Sequence, residues 1–360
     1  MTPNPSDGAA RPQRREPGED ALLCRLGGSS DFQQTSSMSV PRSGSLLAAR
    51  LIPAAASSLS RKPVAKRCTI EVASAMIPHP KKASTGGEDA WFISKTGFGV
   101  FDGVGGWSSK GIDAGEFSRT LAKRTSAHLD AQPVVKLACG LNDALNEVLT
   151  DGTRGSCTAC VARIDEAAGR LQALNLGDSG VRVFRPSPPT DIGSSDVLHL
   201  ELESRAQQHY FNCPLQLGGG STDRPHHGDN YTFDVLPGDL VIMATDGVLD
   251  NLFDAEIAQI LTHGKEEHQE RAAQNGDNDP ASQACAGGGS AREMAERVAV
   301  RARRASMQSK RVTPFSLAAR KEGYNHSGGK LDDVTVICVK VLAASTDNMQ
   351  TAHAAPRSRL

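Results

Sequence analysis

The sequence lacks three features that would each indicate a particular class of protein. No stretch of 18 apolar residues occurs in its 360 residues, so no transmembrane helix is predicted. Neither charge predominates, since 40 Lys and Arg stand against 41 Asp and Glu, whereas a nucleic-acid-binding protein normally carries a basic excess. Eight cysteines are scattered through the chain, without the spacing of a secreted disulfide framework. We therefore expect a soluble protein of a reducing compartment, with no nucleic-acid partner and no membrane span.

Two of the cysteines, Cys157 and Cys160, form a single C-x-x-C motif. A redox pair is one interpretation, but such pairs usually open a helix, and the surrounding GSCTACVARID predicts a strand. A zinc site would need a second pair, which the sequence does not contain. We therefore interpret both cysteines as small residues that pack in a core.

The N-terminal region, residues 1–67, differs in composition from the rest of the chain. Residues 1–37 are rich in Pro, Gly, Ser and charge without periodicity, which predicts disorder. Residues 38–67 contain six basic residues and no acidic one, with many Ser and Ala, as organelle transit peptides do. A solvated tail is the alternative. Because acidic residues precede this segment, we hypothesise that Met38 is a start site. The expected location is mitochondrial, with chloroplast or cytoplasm as alternatives.

Residues 68–342 predict one α/β domain, large enough to bury a substantial core. Strand–turn–strand units are predicted at DAWFISKTGFGVFDG and at YTFDVLPGDLVIMATDG, and a hairpin at SCTACVARIDEAAGRLQALNLGD. VRVF and DVTVICVKV are predicted as further strands. Helical spacing covers residues 112–130, 132–150 and 291–308, and NLFDAEIAQILTHG predicts another helix.

Two segments show no such pattern. Residues 264–290 are polar and predict a flexible surface insertion, and residues 343–360 predict a disordered tail. In the domain itself, hairpin-linked strands with helices in pairs argue against a simple βαβ repeat. They predict an α+β fold in which antiparallel sheets stack and the helices lie outside.

Acidic residues recur where predicted strands begin or end. In chain order they are Glu88, Asp89, Asp102, Asp178, Asp246, Asp332 and Asp333. Carboxylates gathered without cationic partners raise one another's pKa, and the sequence places almost no basic residue beside these acids. A divalent cation removes that cost, and all-oxygen ligation suits Mg²⁺ or Mn²⁺ better than Zn²⁺. Gly103, which follows Asp102, would let a main-chain carbonyl approach such an ion closely.

Five motifs occur in order: GEDAWF, FDGVGGW, GSCTACVARID…LNLGDSG, IMATDGVLDN and GGKLDDVTVI. Together they resemble the ordered motifs of the metal-dependent protein serine/threonine phosphatases, the protein phosphatase 2C family. DGVGGW, GGEDA and QHYFNCP further resemble the organelle-associated branch typified by the yeast and animal mitochondrial phosphatases. The resemblance implies a four-layer α-β-β-α sandwich with two central antiparallel β-sheets. It also implies phosphoprotein substrates, and we expect a monomer.

The resemblance gives a role to each acid. The metal-binding set that it implies is Glu88, Asp89, Asp102, Gly103, Asp178, Asp246, Asp250 and Asp332. Asp102 resembles the aspartate that bridges two metal ions, and the glycine after it offers its carbonyl. Asp246 and Asp332 match the remaining direct ligands and complete the catalytic set. Glu88 and Asp89 match the acids that hold metal-bound waters. Asp178 and Asp250 match positions associated with a third, looser ion.

The mechanism that the resemblance implies is hydrolysis by a water molecule that bridges two Mg²⁺ or Mn²⁺ ions. Two positions depart from the family pattern. Val104 stands where many members have the histidine proposed to protonate the leaving group, so metal-bound water or His209 would have to do so. Ser84 stands where a phosphate-binding arginine is expected, and Lys81 or Lys82 could supply that charge instead.

Two other functions are considered. The glycines of GVFDGVGGWSSKG could suggest a dinucleotide-binding loop, but the G-x-G-x-x-G spacing and the acidic ribose partner are missing. A non-catalytic pseudophosphatase that binds phosphoproteins is the alternative function. The missing histidine and arginine favour it, and the intact Asp102, Gly103, Asp246 and Asp332 argue against it.

Overall fold

The structure is a computed structural model that describes residues 67–187, 197–262 and 289–344. The predicted transit peptide, the polar insertion and the C-terminal tail lie almost wholly outside these residues. None of the helices that the structure describes has the length and apolarity that a membrane span requires.

Two five-stranded antiparallel sheets form the centre of the fold. The strands are β1 Cys68–Ile77, β2 Ala90–Ile93, β3 Phe98–Phe101, β4 Ser156–Cys157, β5 Ala159–Asp165, β6 Arg170–Leu176, β7 Gly180–Ser187, β8 Val197–Glu203, β9 Gln208–Tyr210, β10 Cys213–Pro214, β11 Leu217–Gly218, β12 Asp229–Asp234, β13 Leu240–Ala244 and β14 Val334–Ala343. The first sheet has the order β1-β14-β13-β7-β8 and the second the order β12-β6-β5-β3-β2. Two small pairs, β10-β9 and β11-β4, lie beside them.

Helices cover the outer face of each sheet. They are α1 Ala114–Ala131, α2 Leu137–Thr150, the one-turn α3 Asp246–Leu249, α4 at residues 254–262, α5 Ala291–Ser306 and α6 Pro314–Lys321. Short 3₁₀ turns occupy Pro80–Lys82, Gly105–Lys110 and Pro225–His227. The starts of α1 and α5 follow from their caps, since Asp113 accepts from the Gly115 amide and Ser290 forms a capping box with Glu293.

Three apolar cores separate the layers. One packs α1 and α2 on the second sheet, through Phe117, Leu121 and Leu141. Another packs α4 and α5 on the first sheet. The third lies between the sheets, where Val100 faces residues such as Val339. The predicted four-layer α-β-β-α sandwich is therefore confirmed.

The sequence predicted most of the long elements well and the short ones poorly. The β2/β3 unit, the β5/β6 hairpin and the helices corresponding to α1, α2 and α5 are confirmed. The helix predicted from Asn251 begins at residue 254, after the separate turn α3, and its predicted end at Gly264 lies outside the described residues. Helix α6, the ten-residue strand β1 and strands β8 to β11 were not predicted. The eight residues of α6 span about two turns, too few for a clear period.

Candidate metal centre

Strand pairing brings the predicted acids together. Strands β13 and β14 pair antiparallel, with Ala244 opposite Val336, so the end of β13 meets the start of β14. Asp246 therefore lies beside the Asp332–Asp333 pair. Asp102 follows β3 of the other sheet, and its amide and carbonyl are held by the hydroxyl and amide of Thr158.

Two glycines make this close approach possible. A methyl group on Gly247 would lie 1.8 Å from the Asp333 carbonyl oxygen, so a side chain there would push β14 away from Asp246. A methyl group on Gly103 would lie 2.5 Å from the Glu88 carbonyl oxygen. The sequence argument explained Gly103 by the reach of its own carbonyl. The structure adds that the glycine lets the chain after β3 pack against the chain before β2.

The expectation that the acids have almost no basic neighbour is wrong. Lys330 Nζ forms ion pairs with Asp246, with Asp250 at 2.9 Å and with Asp332 at 3.7 Å. Lys82 Nζ pairs with Glu88 and lies 3.4 Å from Asp333 Oδ2. Lys330 stands only two residues before Asp332, but its pairs with Asp246 and Asp250 and the contact of Lys82 with Asp333 join distant parts of the chain, which the sequence does not show.

Even with two lysines, the acids remain in excess. Burial raises the pKa of Asp102 well above its usual range, and the neighbouring Asp246 carboxylate raises it further. Burial and the Asp246 charge raise the pKa of Asp178 to about 7. Burial likewise raises the pKa of Asp332 to about 6, with Asp246 adding to the shift. Asp246 differs: burial opposes its ionisation, but the charge of Lys330, together with the hydrogen bonds that its carboxylate receives, lowers its pKa.

Glu88 and Asp89, the acids before β2, are also buried in this cluster. Asp89 Oδ2 accepts from the Thr245 hydroxyl at 2.9 Å, which connects it to the end of β13. Asp333 accepts from the amides of His79 and Glu88 at 2.6 and 3.0 Å. Asp333 therefore fixes the chain before β2 against β14.

The donor chemistry of the cluster fits a hard divalent cation. One carboxylate oxygen each of Asp89, Asp178 and Asp246 is buried without a hydrogen-bond partner among the described residues, and such oxygens are costly unless a cation or donor meets them. In the described part of the chain, no three Asp, Glu, His or Cys side chains form a complete ligand set around one point. The carboxylates of Asp246, Asp250 and Asp332 converge on the Lys330 ammonium instead.

The structure directs His209 away from the acids. Its Nε2 lies 2.8 Å from Asp223 Oδ2, while the preceding residue, Gln208, donates to Asp178 Oδ2 at 3.2 Å. Consecutive side chains of a strand point to opposite faces, so Gln208 reaches the cluster and His209 does not. Asp223 also accepts from the Gln216 amide at 2.9 Å. His209 and Asp223 thus brace the loop that carries Gln208.

The two cysteines of the C-x-x-C motif are buried and unbonded to each other. Cys157 belongs to the core under α1, and Cys160 to the core between the sheets. Burial raises the pKa of the Cys160 thiol to about 12, which keeps it protonated and unreactive near neutral pH. Both residues therefore pack as predicted.

Comparison with known proteins gives this cluster a context. The family model of the stage II sporulation protein E (SpoIIE) matches residues 94–286. The probable protein phosphatase 2C 55 of Arabidopsis thaliana is 37% identical over 291 residues, which cover 79% of this chain and 55% of that protein. The protein phosphatase PTC7 homolog of Danio rerio is 33% identical over 285 residues, which cover 74% of this chain and 85% of that protein.

A solved structure extends the comparison to the fold. The X-ray structure of the photosystem II phosphatase PBCP superimposes with a TM-score of 0.60 at 27% identity, over 77% of this chain and 100% of that one. The chain spans about half the length of the first curated relatives that it matches.

Proposed function

The chain belongs to the protein phosphatase 2C family, and from that membership we propose that it is a metal-dependent protein serine/threonine phosphatase. Its substrates would be phosphoserine and phosphothreonine side chains of other proteins. The observation that carries this proposal is the convergence of Asp102, Asp246 and Asp332, which are separated by long stretches of chain, in one cluster of acids.

In this proposal the acids divide into two groups. Asp102, Asp246 and Asp332 would hold the divalent ions together with the Gly103 carbonyl, and the pair before β2 would hold their water molecules. When bound, two Mg²⁺ or Mn²⁺ ions would lower the pKa of a water molecule and offset the charge of the phosphoryl group. Glu88, Asp89 and Asp246 are buried, and Asp102 and Asp332 are half-buried, so electrostatic interactions at this site are stronger than in bulk water.

Lys82 is the residue that we assign to phosphate binding, in place of the arginine missing at Ser84. Its ammonium lies beside Glu88 and Asp333, whereas Lys81 is exposed. A Lys82 side chain that remains 27% exposed can exchange a carboxylate partner for an incoming phosphate oxygen. Val104 cannot transfer a proton, and His209 faces elsewhere. Protonation of the leaving alkoxide would therefore fall to a water molecule at this site, one of the two alternatives that the sequence left open.

The test is hydrolysis of a phosphothreonine peptide with and without Mn²⁺ or Mg²⁺. We expect metal-dependent release of phosphate by the full chain, and its loss in Asp102→Asn. Asp143→Asn is the matched control, because Asp143 is an exposed aspartate of α2 and this change removes the same charge. Equal release by the full chain and by Asp102→Asn would reject catalysis at this cluster. No release by either, with retained binding of the phosphopeptide, would support the pseudophosphatase instead.

We also propose that residues 38–67 direct import into an organelle. The support is compositional: six basic residues, no acidic residue and an apolar LLAARLI segment. The mitochondrion is the first candidate. The chloroplast is the alternative, which the name of the photosystem II phosphatase favours among the relatives. Fusion of residues 38–67 to a fluorescent protein should give an organellar signal. A diffuse cytosolic signal would reject import.

A further inference from the structure

Lys330 occupies the centre of the acids at the first sheet. Its ammonium pairs with Asp246 and lies 2.9 Å from Asp250 Oδ2 and 3.7 Å from Asp332 Oδ2. The Lys330 side chain is 17% exposed and that of Asp246 10%, so this pair is shielded from bulk water, while Asp250 and Asp332 are each 26% exposed. A cation at this point faces the same oxygens that a metal ion would need.

The backbone of Lys330 is fixed by one buried side chain. Asn251 Oδ1 accepts from the Lys330 amide at 2.9 Å, and Asn251 Nδ2 donates to the Lys330 carbonyl at 2.8 Å. Asn251 also donates to the Gly247 carbonyl at 3.0 Å, inside the turn that carries Asp246. The amide and the carbonyl of Lys330 are thereby both tied to the helical turn that carries Asp246 and Asp250.

The side chain of Lys330 is fixed as well. Its ammonium lies 5.2 Å from the centroid of the Phe315 ring, within the range of a cation–π interaction. That ring packs against Phe211 and His326, and the Phe315 amide donates to the Asp250 carbonyl at 3.0 Å. A surface lysine moves freely among rotamers, but this lysine is held at its backbone and at its tip.

We propose that Lys330 is a tethered cation that neutralises Asp250 and its neighbours and thereby excludes a divalent ion from that part of the cluster. Lys330 contacts Asp246 and Asp250 through Oδ2, whereas Asp246 Oδ1 is buried without a hydrogen-bond partner among the described residues and remains open to one of the two proposed ions. A third ion beside Asp250 would have to share Oδ2 with the ammonium, and two positive groups at contact distance in a buried site repel each other strongly. The inference rests on the proposed function. It answers the question that the sequence left open, since it limits the chain to two bound ions and removes the third.

The experiment is a Mn²⁺ titration of the metal-free full chain by isothermal titration calorimetry, with equilibrium dialysis to count bound ions. The wild type is expected to bind two Mn²⁺ per chain. Lys330→Met keeps the length of the side chain without its charge and is expected to bind one more. Lys330→Arg keeps the charge and should bind as the wild type does. Lys95→Met, a lysine of the exposed β2–β3 turn, is the control for the loss of a lysine elsewhere.

The substitution Asp250→Asn provides a second and independent test. In the wild-type background, Asp250→Asn should leave the number of bound ions unchanged, because Asp250 is already paired with the lysine. In the Lys330→Met background, the same substitution should remove the additional ion. The wild-type arm decides the matter even where Lys330→Met does not fold.

The inference is overturned by an equal number of ions in the wild type and in Lys330→Met, or by an ion lost from the wild type on Asp250→Asn. Three ions in the wild type would overturn it as well. These failures differ from failure of the proposed function, in which the wild type neither binds Mn²⁺ nor hydrolyses a phosphopeptide. If the wild type hydrolyses the peptide while binding three ions, the proposal for Lys330 is wrong but the proposed phosphatase function stands.

Discussion

Lys82 and Lys330 both contact the acids of the metal centre, but the protein holds them differently. Lys82 belongs to a 3₁₀ turn, and its side chain is 27% exposed and pairs with Glu88 and Asp333. Lys330 is tied to Asn251 through both of its peptide groups and lies over the ring of Phe315.

The difference teaches which role each cation can take. A lysine that binds a substrate phosphate has to be accessible to solvent and able to exchange its carboxylate partner for the phosphate. Lys82 meets both requirements. A lysine that stands in for an ion has to stay in place when substrate comes and goes. The same chemical group therefore serves two purposes according to how firmly its surroundings hold it.

The largest effect that we expect is a dependence of the stability of the metal-free chain on pH. The pKa values of Asp178, Asp250 and Asp332, all on the Lys330 side, are raised mainly by burial to about 7, 6 and 6. The folded metal-free chain therefore binds more protons than the unfolded chain, so its stability falls as pH rises. Urea unfolding in EDTA should show this loss between the ordinary Asp pKa of about 4 and about pH 7. Saturating Mn²⁺ should abolish most of the slope. A flat profile without metal would contradict the assigned burial of these acids.

The next effect concerns the firmly held lysine. Removal of one partner of a buried ion pair typically costs about 3–5 kcal/mol, and we expect Lys330→Met to destabilise the metal-free chain at pH 7 by about that amount. Lys82 is more exposed, but its partners Glu88 and Asp333 are buried, so Lys82→Met should cost less than Lys330→Met, about 1–3 kcal/mol. Urea unfolding of both variants in EDTA measures the difference. Equal losses would show that the two lysines are held alike, against the comparison drawn above.

Lys82 should matter more for catalysis than for stability. A hydrogen bond to a charged group contributes about 1.5–3 kcal/mol, so Lys82→Met should lower kcat/KM for a phosphothreonine peptide about 10- to 100-fold. Lys82→Arg should retain most of the activity, because it keeps a cation at the same place. The matched control is the neighbouring exposed Lys81→Met, which we expect to be neutral. A loss of activity in Lys81→Met as large as that in Lys82→Met would refute the choice between them.

The smallest effect tests how Lys330 is fixed. A cation–π contact contributes about 0.5–2 kcal/mol, so Phe315→Leu should weaken the hold on the ammonium by about 1 kcal/mol. A double-mutant cycle with Lys330→Met, followed by urea unfolding in EDTA, separates this coupling from the lost packing of the ring. Additive losses would mean that the ring does not stabilise the lysine.

Much of the fold could be predicted because its central strands are long and apolar. The runs that form β3, β13 and β14 are buried from end to end or nearly so, and acids follow or precede each of them. A polar side chain at the end of a buried strand lies near the surface of the sheet, where function is commonly found. The positions of Asp102, Asp246 and Asp332 were therefore accessible from pattern alone.

The long-range contacts of these acids with the two lysines could not be predicted in this way. Lys330 and Asp246 are 84 residues apart, and Lys82 and Asp333 are 251 apart. Their contacts depend on the course of loops that no periodicity describes. Asn251, which holds Lys330, sits inside a predicted helical segment and carries no signal that it turns inward. The path from β12 to β13 is another such case, since these neighbouring strands join different sheets.

Binding of Mn²⁺ to the metal-free chain, compared between the wild type and Asp102→Asn, tests the central claim most directly. Asp102 lies among the buried acids and contributes no salt bridge to either lysine among those that the structure describes. Even supporting residues around a metal commonly contribute 10- to 100-fold to its affinity, so a direct ligand should contribute at least about 100-fold. We expect tight binding by the wild type and a loss of that size in Asp102→Asn, with Asp143→Asn unchanged. Equal Mn²⁺ affinity in the wild type and in Asp102→Asn would contradict it.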